Sequence, residues 1–287
     1  MGQDAQVLRS SVRVLGRYDL DEALALCARD LVTNLFVVSR VHAALRRGAG
    51  GEFWGWYDGR SLRSLCWAGA NLVPAEATPE ALEVFAERAR RQGRQCSSIV
   101  GPAAAVLPLW RLLEPSWGPA RDVRAVQPLM VIEGPPLVAA DPLVRVTTAD
   151  DLPVLTPACV AMFTEEVGYS PVAVDGGALY HAQVAGLVQA GRSLARIDDG
   201  PRGREVVFKA ELGSVIPEGA QVQGVWVNPH HRGRGLAAPG MAAVVESVRA
   251  RIAPTVSLYV NDYNVRAVRT YERVGFRRVG TFATVLF

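Results

Sequence analysis

Runs of apolar residues bounded by turn residues divide the chain into short elements. One proline-rich stretch, Glu133-Gly-Pro-Pro-Leu-Val-Ala-Ala-Asp-Pro142, interrupts them. Proline and glycine at that density stop both helix and strand, so the stretch is read as a linker or crossover between two lobes, with the boundary near Ala140. In the second lobe the pattern predicts a short strand at 143–146, then a helix to about 164 behind a capping box in Thr147-Thr-Ala-Asp150. A turn-rich segment at 163–171 and a helix at 176–189 follow. Strands at 193–198, 205–212 and 220–227 are separated by turns at Asp198-Asp-Gly-Pro201 and Pro217-Glu-Gly219. A helix at 236–252, a strand at 256–260 and a helix at 264–274 ended by Gly275 come next, and 276–287 closes as a strand or hairpin. That order, β-α-α-β-β-β-α-β-α-β, predicts an α/β fold: an α+β mixed sheet with helices on both faces.

The first lobe echoes the order. A strand at 11–15 and a helix at 19–32 lead to a hairpin, 52–57 and 61–68, around Asp58-Gly59. Thr78-Pro-Glu80 supplies a cap, a proline in the first turn and an acid for a helix running to about Gln92. A strand near 95–100, a helix near 103–113 and strands near 124–132 complete it. The repeated order suggests two copies of one fold, the first worn down.

Composition then narrows the setting. With 287 residues, 49% of them hydrophobic, the chain can bury one large core or two ordinary ones. No apolar run approaches the roughly 20 residues that cross a bilayer. The first ten residues carry no apolar signal region, and no membrane partner is expected. Cys27, Cys66, Cys96 and Cys159 are scattered, with no CxxC spacing. They are read as four buried thiols rather than a metal site or a disulfide framework, in a reducing compartment, most simply the cytoplasm. The formal charge is only +3, but from 201 onward twelve Lys and Arg stand against six acids, a balance that suits a polyanionic ligand. Arginine supplies nearly all of the positive charge; Lys209 is the single lysine.

The stretch Val225-Trp-Val-Asn-Pro-His-His-Arg-Gly-Arg-Gly-Leu-Ala237 carries the chemistry. A strand ends at Val227, Asn228-Pro229 turns the chain, and Arg232-Gly-Arg-Gly235 leads straight into a helix. The first amides of a helix have no partner within it, and the helix dipole adds positive charge at the same end. Gly233 and Gly235 permit positive φ and close approach of a ligand. Such a junction suits a phosphate, with Arg232 and Arg234 adding charge at the rim. A dinucleotide fingerprint also fits Gly233-x-Gly235-x-x-Ala238, with Asp262 after the next strand, but too little chain follows for the further βα units it needs. A Walker loop fails because no Lys-Ser/Thr follows the glycines. Downstream, Asn264 is placed to cap a helix, and Tyr271, seven residues on, returns to nearly the same face. Its hydroxyl is expected to face whatever the glycine loop holds.

Together these two segments resemble the GNAT superfamily of acyl-CoA N-acyltransferases. The family pattern Val-x-Pro-x-x-(Arg/Gln)-Gly-x-Gly-x-(Gly/Ala) is met by Val227 to Ala237. Its second pattern, Asn-x-x-Ala-x-x-x-Tyr-x-x-x-Gly-Phe, is met by Asn264, Ala267, Tyr271, Gly275 and Phe276. The first lobe, without such a loop, resembles the degenerate half of actinobacterial tandem GNAT proteins. The resemblance implies two GNAT-like lobes, a degenerate one at 1–140 and a catalytic one at 141–287. It implies an N-acetyltransferase that moves the acetyl group of acetyl-CoA to a primary amine by direct attack, without a metal. Amides of Arg232, Gly233, Arg234, Gly235, Leu236 and Ala237 would hold the CoA diphosphate. The backbone of Val225, Trp226 and Val227 would pair with pantetheine as an extra strand, where two strands splay apart. Asn264, beside Ala267, would bond the same arm, and Tyr271 would protonate the leaving thiolate. A phenol near pKa ~10 is a suitable acid toward a thiolate near ~8.5. The Val227 amide would hold the oxyanion.

One departure stands out. Many family members carry a glutamate base on the strand before the glycine loop, and this chain has Gln221 and Gln223 there. Glu211 on the preceding strand, and Glu165 and Glu166 in the first helix–helix turn, are the acids left to act as base or to bind a cationic acceptor. The missing glutamate keeps open a second expectation, a CoA-binding regulatory or interaction protein with weak catalysis. A nucleic-acid binder using the C-terminal arginines has no recognised motif behind it, and no nucleic-acid partner is expected. His230 and His231 beside the loop are read as incidental. The acceptor, a small-molecule or protein amine, is left open. So is the first lobe, which could wall the acceptor cleft, form a homodimer contact or only scaffold.

Overall fold

The computed structural model describes residues 11–47, 50–173, 175–200 and 203–287. The first ten residues, and Pro201 of the turn expected after Asp198, lie outside the described residues. In chain order the elements are β1 (Ser11–Val14), α1 (Leu20–Cys27), α2 (Leu31–Arg47), β2 (Glu52–Asp58), β3 (Ser61–Ala68), β4 (Asn71–Ala75), α3 (Pro79–Gln92), β5 (Ser98–Pro102), α4 (Ala103–Trp117) and β6 (Asp122–Ile132). They continue with β7 (Arg145–Val146), α5 (Leu152–Val167), α6 (Ala178–Gln189), β8 (Ser193–Gly200), β9 (Gly203–Ile216) and β10 (Gly219–Val227). The last are α7 (Ala237–Arg251), β11 (Thr255–Tyr259), α8 (Val265–Val274) and β12 (Arg277–Leu286). The chain divides into two compact units, neither contiguous in sequence. One takes residues up to Leu129 with Tyr259–Asp262 and Val279–Phe287; the other takes Met130–Leu258 and Tyr263–Arg278.

In the first unit the strands run β1-β2-β3-β4-β5-β12. Neighbours are antiparallel apart from the parallel pair β4–β5. Leu82 and Phe85 of α3 and Leu109 and Leu113 of α4 pack with Trp54, Ile99, Ala283 and Val285. The pattern predicted one helix ending near 32. The chain instead makes a 3-10 turn at Ala28–Asp30 and continues as α2, which buries Leu35, Val37, Val38 and Val41. The strand β4 was not expected either, since Pro74 lies within it. Buried Gln127 explains why C-terminal residues belong here. It donates to Asn261 Oδ1 (2.9 Å) and accepts from Thr284 Oγ1 (2.6 Å). The segment at 276–287 is a strand rather than a hairpin, and Phe282 to Leu286 pair with Pro102 to Ser98 on β5.

In the second unit the strands run β11-β10-β9-β8-β7, antiparallel apart from β10–β11. Leu155, Cys159 and Met162 of α5 and Val184 and Val188 of α6 pack against Ala195, Val206 and Trp226. On the opposite face α7 meets β9 so closely that a Cβ on Gly240 would lie 2.8 Å from the Phe208 ring. The proline-rich stretch, expected as a linker, is tied down along this unit. Leu137 N–H donates to Val274 O (2.8 Å) and Asp141 N–H to Pro239 O (3.0 Å). Arg277 pairs with Glu133 (2.6 Å) and Arg196 with Asp141 (3.1 Å). The division between the units therefore falls ahead of it, at Leu129. Of the cysteines, all free, Cys27, Cys66 and Cys159 are buried and Cys96 is only half-buried.

The capping box at the start of α5 forms one residue later than expected, with Thr148 and Asp151. Asp151 is buried and accepts from Arg145 Nη1 (2.7 Å) and Nη2 (2.9 Å), Arg204 Nη2 (2.6 Å) and the Thr148 amide (2.8 Å). The Arg145 guanidinium, helped by Thr148 and Arg204, holds its carboxyl well below the usual carboxylate range, against the opposing effect of burial. The folded value lies below the unfolded one, so the stabilisation is complete above about pH 4 and fades as pH falls further. In urea unfolding at pH 7, Asp151→Asn should lose about 2–3 kcal/mol, the scale of hydrogen bonds to charged groups. The gap to wild type should narrow only below about pH 4.

Candidate active site

β10 runs beside β11 only from Gly219 to Gln221. Beyond that point it keeps β9 on one side, to Val227 opposite Phe208, and leaves β11. The strand also breaks step with β9 between Gln223 and Trp226. Gly224, at the break, has φ 58°, which only glycine adopts without strain. Under it lies a buried polar cluster. Lys209 Nζ donates to Gly224 O (3.1 Å) and pairs with Glu211 Oε1 (2.6 Å). Cys159 Sγ lies 3.4 Å from the same carboxylate oxygen. Lys209 is 0% exposed, and burial pushes the Cys159 thiol up to about 12, so it is a packed thiol and not a nucleophile.

After Val227 the chain turns at Asn228, whose side chain accepts from His230 N–H (3.1 Å) and donates to Val206 O (3.2 Å). Gly233 (φ 76°) and Gly235 (φ 75°) are exposed, and a Cβ on either would meet nothing within 4 Å. These glycines serve the backbone angle, not a tight fit. α7 then starts with Leu236 at its cap position, which offers no side-chain bond, and with no acid in its first turn. The amides of residues 233–238 find no acceptor among the described residues. Arg232 Nε donates to Val227 O (3.0 Å), and its Nη2 pairs with Glu165 (2.6 Å), which also accepts from Trp226 Nε1 (3.4 Å). His231 meets Glu205 (2.9 Å), and Arg234 lies against His231 (3.5 Å).

At the start of α8 the Asn264 carbonyl oxygen accepts from Ala267 N–H (3.2 Å), so capping uses its oxygen and leaves its amide nitrogen. Tyr271 is buried, edge-on to Phe276 (5.9 Å), and its hydroxyl makes no hydrogen bond among the described residues. Burial raises the phenol well above its ordinary value and Glu166 adds to the effect, so Tyr271 stays protonated at neutral pH. Tyr180, whose hydroxyl donates to Cys159 O (2.9 Å), is raised by burial and by the nearby charges of Glu211 and Glu166. The fold thus brings Glu166 toward Tyr271 and Glu211 beneath Gly224, while Glu165 is engaged by Arg232. Sequence reasoning missed Lys209, Cys159 and Tyr180. The signal for Lys209 was available: the single lysine, inside an apolar strand.

Residues 182–276 match the model of the acetyltransferase (GNAT) family, and residues 51–155 match a domain of unknown function, DUF4081. The chain carries a GNAT domain. Solved structures share its fold over nearly the whole length. A GCN5-related N-acetyltransferase from Sphaerobacter thermophilus aligns at 14% identity and TM-score 0.62, covering 96% of this chain and 95% of that one. A tandem GNAT protein from the clavulanic acid biosynthesis pathway aligns at 14% identity and TM-score 0.56, covering 97% and 98%. A GNAT-family acetyltransferase from Colwellia psychrerythraea aligns at 12% identity and TM-score 0.56, covering 96% and 99%. No curated protein matches the chain in sequence.

Among the described residues, no group of three or more His, Cys, Asp or Glu is placed to hold a metal ion, and no helix is long and apolar enough to cross a membrane. The GNAT domain separates two kinds of glycine, and substitution should show it. Gly224→Ala meets a backbone penalty and crowds Glu211 Oε2 and Met162 Cε, each 3.1 Å from the added carbon. It should lower stability by about 2–4 kcal/mol in thermal or urea unfolding. Gly233→Ala meets only the backbone penalty and should lose about 1 kcal/mol.

Proposed function

We propose that the GNAT domain binds acetyl-CoA at the junction of β10 and α7 and passes its acetyl group to a primary amine by direct attack. The run of unpartnered amides at 233–238 carries this reading, at a helix start with neither side-chain cap nor acid. A diphosphate would accept from these amides, with Arg232 and Arg234 at the rim. The pantetheine arm would lie along the β10 edge that β11 leaves after Gln221, against the backbone of Val225, Trp226 and Val227. The Asn264 amide nitrogen is left to bond the same arm. As the amine attacks, the C–N bond forms and the carbonyl oxygen takes the charge, which the Val227 amide would meet. Collapse breaks the C–S bond, and the thiolate takes the Tyr271 proton. The proton lost by the amine goes to a carboxylate. Glu166, exposed at the end of α5 and near Tyr271, is taken for that task ahead of Glu211, which is buried.

With the division moved from 140 to Leu129, we take the first unit as the degenerate copy and the second as the catalytic one. The helix α3 occupies the place in the first unit that α7 occupies in the second. One of its first amides, that of Ala81, is taken by the Thr78 side chain, and Glu80 sits in its first turn where a phosphate would go. A second reading, a CoA-binding protein with weak catalysis, draws on the ion pairing of Glu211 and on glutamines in place of a β10 acid.

Calorimetry with CoA and acetyl-CoA tests the site; no heat of binding would end both readings. Transfer to a panel of amines, followed by mass spectrometry, separates them, since binding without any acetylated product leaves only the second. Tyr271→Phe should lower kcat about a hundredfold or more and leave CoA affinity nearly unchanged. Because the phenol is held above its ordinary value, loss of the Tyr271 proton should not limit the wild-type rate between about pH 7 and 9.

A further inference from the structure

The chain has 31 basic residues and one lysine, and that lysine is fully buried. A buried ammonium is costly unless it is paired and hydrogen-bonded, and apolar residues of similar volume often hold a fold as well. Its contacts are specific. The Nζ reaches Glu211 Oε1 (2.6 Å) and the main-chain carbonyl of Gly224 (3.1 Å). An ammonium is a compact centre with three donors, whereas a guanidinium is a broad planar fork. Packing at Gly224 is tight, with Glu211 Oε2 and Met162 Cε both 3.1 Å from a built Cβ. A half-buried peptide carbonyl turned out of its ladder gains from a donor, and Lys209 supplies one. If that donor were lost, the break between Gln223 and Trp226 could close, and a slip of one residue reverses which face each following residue presents. The residues that follow are the ones that lead into the glycine loop.

Building on the reading of this junction as the coenzyme site, we propose that Lys209 is a positioning residue. Its buried ammonium clamps the Gly224 carbonyl to Glu211, keeps the break in β10 open, and so sets the Val225–Val227 backbone for the coenzyme arm. Two paired variants test it by CoA calorimetry, with thermal melts to check folding. Lys209→Met with Glu211→Leu removes clamp and charge together; it should fold, yet bind CoA about tenfold or more weaker than wild type. Lys209→Gln with Glu211→Gln puts back a neutral donor, on a side chain one bond shorter, and should recover part of that loss. A role in packing alone predicts no such recovery. Wild-type affinity in the folded Met/Leu pair overturns the role of Lys209. If that pair does not fold, Lys209→Arg decides: it keeps the charge opposite Glu211 but cannot seat a fork under the carbonyl. Weakened CoA binding supports the clamp, and undiminished binding overturns it. Failure of the folded wild-type chain to bind CoA at all is a different result, and defeats the site rather than the clamp.

Discussion

A strand that parts from its neighbour must find other partners for its backbone, or leave it open for a ligand. β10 does both. On one side Lys209 takes the carbonyl that the break at Gly224 turns inward. On the other, pairing with β11 stops at Gln221. Everything downstream depends on that departure. It sets the direction in which Val227 leaves the sheet, the turn at Asn228, and the place where α7 presents its first amides. The core supports it from both faces. Phe208 and Lys209 are consecutive on β9 and point opposite ways, the ring to α7 and the ammonium toward α5. One short piece of strand thus fixes both the helix behind the loop and the bulge before it.

The starts of α3 and α7 differ in how far each helix closes its own end. A good N-cap contributes about 1 kcal/mol, and α3 has one in Thr78, with Pro79 and Glu80 completing the first turn. α7 has none of these. A helix that serves only its fold gains by closing its own end. One whose first amides stay open over residues 233–238 forgoes that stability, and on the proposed reading a ligand's diphosphate would make up for it.

Much of this was legible in the sequence because its signals are local. Glycines before a helix, Asn264 at a cap, Thr78-Pro-Glu at another and turn residues between strands each act within a few positions. The glycines before α7 and the caps at Asn264 and Thr78 formed where the pattern put them, and Gly275 ended α8 at φ 113°, but the turn expected from Asp198 came later, since β8 runs on to Gly200. What was not legible is set by partners far apart in the chain. Nothing near Phe282 says that it will pair with Pro102, and nothing near Gln127 announces Asn261 and Thr284. The proline-rich stretch looked like a linker because its composition forbids helix and strand. Composition cannot show that its few amides and acids will be bonded to α7, α8 and β8. The site divides in the same way. The loop could be read from its glycines, but the cluster beneath it needs the register of β9 and β10, which no motif encodes.

Two arginine-bound carboxylates in the second unit show what burial does to an ion pair. Asp151 is buried and held by Arg145 and Arg204, and such a carboxylate is not released under ordinary conditions. Glu165 and Arg232 make an equally short contact, but their side chains are 45% and 49% exposed. A pair that open to water contributes at most about 1 kcal/mol. A diphosphate offering several charged oxygens to free amides can displace Glu165 from Arg232 at little cost, where it could never displace Asp151. On the proposed reading, Arg232 would stand at the mouth of the loop paired with an acid weak enough to yield. Glu165 also accepts from Trp226 Nε1, so the exchange would be felt at the end of α5 and on β10 together.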